Sequence, residues 1–191
     1  MPIRLPLIVA ATEAEITHVP GSLPRVVTGL GKSAAAVATT EALVRIATGP
    51  DGLDGLTVLN VGTAGSLRDG LDGLHLPGTV FNHDINGDAI RALGFDPEDV
   101  LSPGGDETVL ASGDLFVTDP VVRARLAERA HLVDMEGYAV ALACHRFGVP
   151  LTLVKHVSDN ADDTAHDWPT AVALSAVALG EWVTRHLDGD A

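Results

Sequence analysis

Apolar runs of strand length alternate with longer, alanine-rich segments along most of this chain, and that alternation restricts the fold more than any other feature. It is the pattern of an α/β layer fold with a largely parallel sheet. Strands are expected at residues 5–11, 25–28, 56–61, 79–82, 108–112, 132–135 and 151–157, with helices at 32–47, 120–130, 136–147 and 167–187. The third helix carries its own stop, since Gly148 suits an αL cap and Pro150 cannot continue the helix. From Asn86 to Glu107, Gly87, Gly94, Pro97, Pro103, Gly104 and Gly105 interrupt every periodic pattern, so a loop with room for one helical turn is expected. No repeat or long linker divides the sequence. A chain of 191 residues that is 46% hydrophobic can bury one substantial core, so a single domain spanning residues 1–191 is expected.

The formal charge of −14 argues against nucleic acid as a partner, because a surface that tracks phosphates needs clustered Lys and Arg. No apolar run approaches the roughly 20 residues needed to cross a bilayer, and Met1 to Ala10 lacks the parts of a signal peptide. The expectation is therefore a cytoplasmic protein with no membrane partner. The one cysteine, Cys144, has no partner for a disulfide and falls within a helical pattern, which makes it a small core residue.

Several motifs are nearly matched. "GLGKS" at Gly29–Ser33 resembles the end of a phosphate-binding P-loop, but the glycine required five residues before Gly31 is Val26. "NVGTAGS" at Asn60–Ser66 is not G-x-G-x-x-G and opens no helix, so it reads as a turn whose glycines let backbone approach a small ligand. The eight histidines include no H-E-x-x-H, and "DDTAHD" at Asp162–Asp167 reads as a solvated loop; neither a metal nor a cofactor is expected.

Acids remain at the places where α/β folds bind ligands, the carboxyl ends of strands. Glu15 follows the first strand in "AATEAEI", Glu136 opens a helix in "VDMEG", and Asp159 ends a strand in "VKHVSD". Each has a plainer reading. Thr12 and Glu15 have capping-box spacing, Asp159 suits an N-cap, and Glu136 complements the positive end of a helix. Together they change the balance, because carboxylates meeting in one crevice can keep one acid protonated and another ionised at neutral pH.

"VDMEGYAVA" and "VKHVSDNAD", with "AATEAEI", "GLGKSAAA", "VGTAGS" and "ASGDLFV" in order before or between them, resemble the purine nucleoside phosphorylase and nucleosidase superfamily, and most of all its methylthioadenosine/S-adenosylhomocysteine nucleosidases. The motifs extend from about Leu5 to the C-terminus. The resemblance implies a three-layer α/β/α fold around a twisted mixed sheet and cleavage of the N-glycosidic bond of a purine nucleoside. It implies that Asp159, supported by Ser158, protonates the purine at N7 and that Glu15 activates water. It further implies that Glu136 holds the ribose hydroxyls, Met135 lies against the sugar and Phe116 stacks on the base, with Val117, Ala64 and Gly65 alongside. It also implies a homodimer whose partner subunit completes the 5′ region.

The residue types suit that chemistry. Purine leaves poorly as an anion, so a neutral carboxylic acid must protonate it. The ribosyl group becomes oxocarbenium-like, which a carboxylate stabilises. A phosphorylase would need arginines for its phosphate, whereas the loop after the first strand is acidic; Arg68 is expected to pair with Asp69 or Asp72. Hydrolysis is therefore the expectation. Phosphorolysis, a futalosine-type hydrolase and a silent nucleoside-binding protein stay open. The departures from the resemblance are a short stretch at residues 85–110, Tyr138 in place of a usual alanine, and Lys155 in place of a common arginine.

Overall fold

The structure is a computed structural model that describes residues 4–162 and 168–189. Its strands are β1 (Leu7–Ala10), β2 (Arg25–Val27), β3 (Val58–Ser66), β4 (Leu74–His75), β5 (Pro77–Asn82), β6 (Val100–Leu101), β7 (Asp106–Ser112), β8 (Leu132–Asp134) and β9 (Leu151–Asp159). Its helices are α1 (Lys32–Ala47), α2 (Gly87–Ala92), α3 (Pro120–Ala127), α4 (Gly137–Phe147) and α5 (Trp168–Asp188). The strands form a mixed sheet in the order β2-β1-β3-β8-β7-β5-β6, with β9 on the other edge of β3 and β4 beyond it. β1 is buried along its whole length and its side chains alternate between two cores. Leu7 and Val9 face α1 and α4 through residues such as Leu43 and Val140, while Ile8 and Ala10 face Leu179, Trp182 and Val183 of α5. A strand covered on both faces reads as a continuous apolar run, which "LIVA" is. α3 packs through Leu126 against Phe81, Ala111 and Val133, completing a three-layer α/β/α arrangement.

Local chemistry accounts for most boundaries. Asp119 accepts from the Val121 amide at 2.7 Å just before Pro120 opens α3, and Gly148 ends α4 at φ 65. Asn86 caps α2, a short helix inside the stretch read from sequence as mostly loop. The clearest departure is β3, which continues through "GTAGS" to Ser66 where a turn was expected. Its pairing with β9 supplies the reason, since each residue from Val58 to Gly65 has a partner there. Cys144 is buried in α4, and burial pushes its thiol up to about 12. The loop "DDTAHD" lies outside the described residues beyond Asp162. Among the described residues no helix is long and apolar enough to cross a membrane.

Candidate active site

Two strands share one edge of β3. β1 runs parallel to it and pairs through Val9 with Asn60, whereas β8 runs antiparallel and pairs Val133 with Gly65. The carboxyl ends of β1 and β8 therefore approach each other head-on, leaving residues 61–64 of β3 without a strand partner on that side. A cavity of about 410 Å³ opens at this gap, a volume suited to a small molecule.

The segment after β1 fills part of the gap. Glu15 is buried, and its Oε1 accepts from the Thr63 amide at 2.8 Å and the Thr63 hydroxyl at 3.0 Å. Its Oε2 accepts from the amide and hydroxyl of Thr12 at 3.0 and 3.1 Å. Half of the capping-box geometry is thus present, but no helix follows, and the second oxygen is spent on β3. The amides fix the carboxylate, while either threonine hydroxyl can rotate away and yield its place to a water. Gly62 makes the approach possible, because a Cβ there would lie 3.0 Å from Glu15 Oε1.

Glu136 stands where β8 turns into α4. The first helical amides are satisfied by other residues: Gly137 N–H donates to Asp134 Oδ2 at 2.9 Å, and Tyr138 N–H donates to the Ser112 hydroxyl at 2.9 Å. Asp134, left without a role by the sequence, is the residue that caps α4. Glu136 is consequently free to turn into the cavity, where its Oε1 accepts from the Gly31 amide at 2.7 Å. Burial, reinforced by the nearby Asp134 carboxylate, pushes Glu136 up to about 7. The "GLGKS" segment thus binds carboxylates of its own chain, since the Lys32 amide likewise holds Asp114 Oδ1 at 2.6 Å.

This tight start to α4 depends on Gly137. A Cβ at that position would lie 2.7 Å from Leu110 Cδ2 and 2.9 Å from Asp134 Oδ2. Gly137→Ala should lower the unfolding free energy by about 1–3 kcal/mol through overpacking, more than the gain in helix propensity of about 1 kcal/mol at most. Denaturant unfolding checks this, and a variant as stable as the parent would mean that the junction has slack.

Asp159 is placed by an irregularity. The β3–β9 register passes from Ala64↔Val157 to Gly65↔Asp159, which leaves Ser158 as an extra residue on β9. The Ser158 hydroxyl donates to Asp159 Oδ2 at 2.7 Å, and Ala161 N–H donates to Oδ1 at 2.8 Å. That second bond holds Ala161 in the left-handed region at φ 51. Gly65 again makes room, since a Cβ there would meet Asp159 Oδ1 at 3.0 Å. The glycines of "VGTAGS" therefore admit the protein's own carboxylates, not a turn.

All nine residues singled out from the sequence line this one cavity: Glu15 from the segment after β1, Ala64 and Gly65 from β3, Phe116 and Val117 from the segment after β7, Met135 and Glu136 from the β8–α4 junction, and Ser158 and Asp159 from β9. The sequence reading missed Leu30 and Leu115, which with Phe116 form an exposed apolar rim. Their only signal was being apolar in loops. Three other residues noted in the sequence lie outside the lining. Tyr138 does not line the cavity; it is buried and its hydroxyl donates to the Glu98 carbonyl. Arg68 reaches the Ala130 carbonyl, and Asp69 pairs instead with Arg123 at 2.9 Å. Lys155 lies beneath the cavity, fully buried, with its ammonium 2.8 Å from Asp134. Residues 85–110 contribute nothing to the lining. Among the described residues no group of three or more His, Cys, Asp or Glu is arranged to hold a metal ion.

Comparison with known proteins places this geometry. The Phosphorylase superfamily model matches residues 106–181. The 5′-methylthioadenosine/S-adenosylhomocysteine nucleosidase of Shewanella oneidensis is 30% identical over 186 residues, covering 80% of this chain and 75% of that protein. The Helicobacter pylori 5′-methylthioadenosine/S-adenosylhomocysteine nucleosidase superposes with a TM-score of 0.84 at 24% identity, covering 99% of this chain and all of the other. The futalosine hydrolase of the same organism shares the fold, with a TM-score of 0.80, 24% identity and 98% of each chain covered. The shared sheet and the extent of the sequence match lead to one assignment: this chain belongs to the 5′-methylthioadenosine/S-adenosylhomocysteine nucleosidase family of the phosphorylase superfamily.

Proposed function

We propose that this nucleosidase hydrolyses the N-glycosidic bond of 5′-methylthioadenosine, S-adenosylhomocysteine or a closely related 5′-modified purine nucleoside, releasing free base and the sugar. The observation that carries the reading is the meeting of Glu15, Glu136 and Asp159 in one cavity beside Phe116 and Met135. Phe116 stacks on the purine and Met135 lies against the ribose. As the C1′–N9 bond breaks, its electron pair passes to the purine and Asp159 delivers a proton to N7. Glu136 accepts from the ribose hydroxyls and stabilises the positive charge at C1′. Water held by Glu15 adds to C1′ and gives its proton to that carboxylate; exchange with solvent returns both acids to their starting states.

The cavity's charge favours water over phosphate. Among the described residues neither lysine nor arginine lines it, and Lys155 is already committed to Asp134. The reading also carries a homodimer in the cytoplasm, for which the exposed Leu30, Val37 and Val44 offer an apolar contact surface.

Base release, followed by chromatography from methylthioadenosine, S-adenosylhomocysteine, adenosine, inosine and futalosine with and without phosphate, tests the proposal. Free base and free sugar from the 5′-thio nucleosides without phosphate is the expected result. Strict phosphate dependence would make the protein a phosphorylase, and binding without release would leave it a silent receptor.

A further inference from the structure

Lys155 is unusual on chemical grounds alone. It sits mid-strand in β9, its side chain 2% exposed, in a position that a hydrocarbon would ordinarily fill. A buried ammonium persists only with anionic partners, and here they come from two parts of the chain. Asp134 is in contact at 2.8 Å, and its other bonds are already fixed by Ser112 and the Gly137 amide. Lys155 pairs in register with Gly62, where a Cβ would lie 3.5 Å from Lys155 Nζ and 3.0 Å from Glu15 Oε1. The ammonium therefore lies below the floor of the cavity, between the acid of β8 and the acid that follows β1.

We infer that Asp134 and Lys155 are a pair of positioning residues: Asp134 fixes the start of α4 and hence Glu136, and Lys155 sets how many of the buried carboxylates are ionised together. The inference rests on the nucleosidase reading only in assigning Glu136 to the ribose. Neither residue is asked to touch the reacting atoms.

Charge counting supplies the mechanism. Glu15, Asp134 and Glu136 are all buried, and among the described residues Lys155 is the one buried cation. Three ionised acids would leave two uncompensated charges, so the cluster relieves itself by taking up a proton. Burial pushes the Lys155 ammonium down, but Asp134 first, then Glu136 and Glu15, more than offset this, so its pKa is raised and it stays charged. Burial and the Asp134 carboxylate push Glu136 up to about 7, so Glu136 is the acid that takes up this proton. The groups that act on Glu136 are Asp134 from β8, Lys155 from β9 and Glu15 from the segment after β1; Asp159 lines the same cavity, Asp114 is bonded to the Lys32 amide next to the Gly31 that holds Glu136, and His83 after β5 feels Asp134. With Glu136 needed as the anion, kcat/KM should rise as pH increases through about 7. Below that pH the protonated acid offers the ribose and the developing cation less.

The experiment follows Glu136 directly, by the carbon-13 shift of its side-chain carboxyl, assigned with Glu136→Gln, alongside the pH profile of kcat/KM for base release from methylthioadenosine. Lys155→Met should move both midpoints upward by about one to three pH units, as expected on losing a neighbouring opposite charge, with a tenfold or greater loss of kcat/KM at pH 6. Lys155→Arg should bring both back. Should Lys155→Met fail to fold, Asp134→Asn/Lys155→Met removes the buried charges together. It should move the Glu136 midpoint downward, because Asp134 influences Glu136 more strongly than Lys155 does. A Glu136 midpoint that stays in place in these variants would reduce the pair to a structural bridge and overturn the inference. Midpoints that move as described in a protein releasing no base would support the inference and remove the nucleosidase reading instead.

Discussion

Asp159→Asn is expected to lower kcat for base release by about 10²–10⁴-fold, the range lost when a positioned general acid is removed, while nucleoside still binds. The structure explains why this loss should be chemical. Asp159 Oδ1 accepts from the Ala161 amide, a bond that the asparagine carbonyl reproduces, and Ser158 can rotate its hydroxyl to accept from the new amide nitrogen. The bulge and the left-handed Ala161 then keep their conformation, and the thermal midpoint should hardly change. The amide has no acidic proton to give to N7. Steady-state kinetics beside a melting curve is the check, and a folded variant with unimpaired kcat would remove Asp159 from the reaction.

Glu15→Gln is expected to cost as much in rate, about 10²–10⁴-fold, with a different signature in stability. The carboxylate accepts on both sides, from Thr63 through Oε1 and from Thr12 through Oε2. A glutamine can satisfy one side only; its NH₂ must then face either the Thr12 or the Thr63 amide, placing donor against donor at about 1–3 kcal/mol. Rate and stability should therefore fall together. Turnover per folded molecule separates the two effects, measured well below the new midpoint. If it equals that of the parent, Glu15 does no more than tie the segment after β1 to β3.

How much of this was legible beforehand differed from residue to residue. The layered fold followed from strand-length apolar runs such as "LIVA", which burial on two faces imposes on a central strand. The acids drew attention because each ended a strand or opened a helix, the places where α/β sheets bind ligands; that an antiparallel β8 would carry Glu136 toward Glu15 was not visible. The course of β3 was not legible, because two glycines in five residues ordinarily mark a turn. Only the neighbours reveal that Gly62 and Gly65 make room for Glu15 and Asp159. Asp134 and Lys155 were seen without being understood. Each announces itself as a charge within an apolar strand, but which partner it has is a property of the assembled sheet.

The head-on meeting of β1 and β8 along β3 also has a kinetic meaning. The bond from Gly31 to Glu136 joins residues 105 positions apart, and that from Thr63 to Glu15 joins residues 48 apart. No local segment contains even half of the cavity. Contacts this distant in sequence are slow to form, because each closes a large loop before it contributes stability. During refolding, helical signal from α1 and α4 should return well before any capacity to bind a nucleoside. Until β9 has docked on β3, a nascent chain would hold Glu15 and Glu136 with no Asp159 opposite them, folded in part and chemically silent.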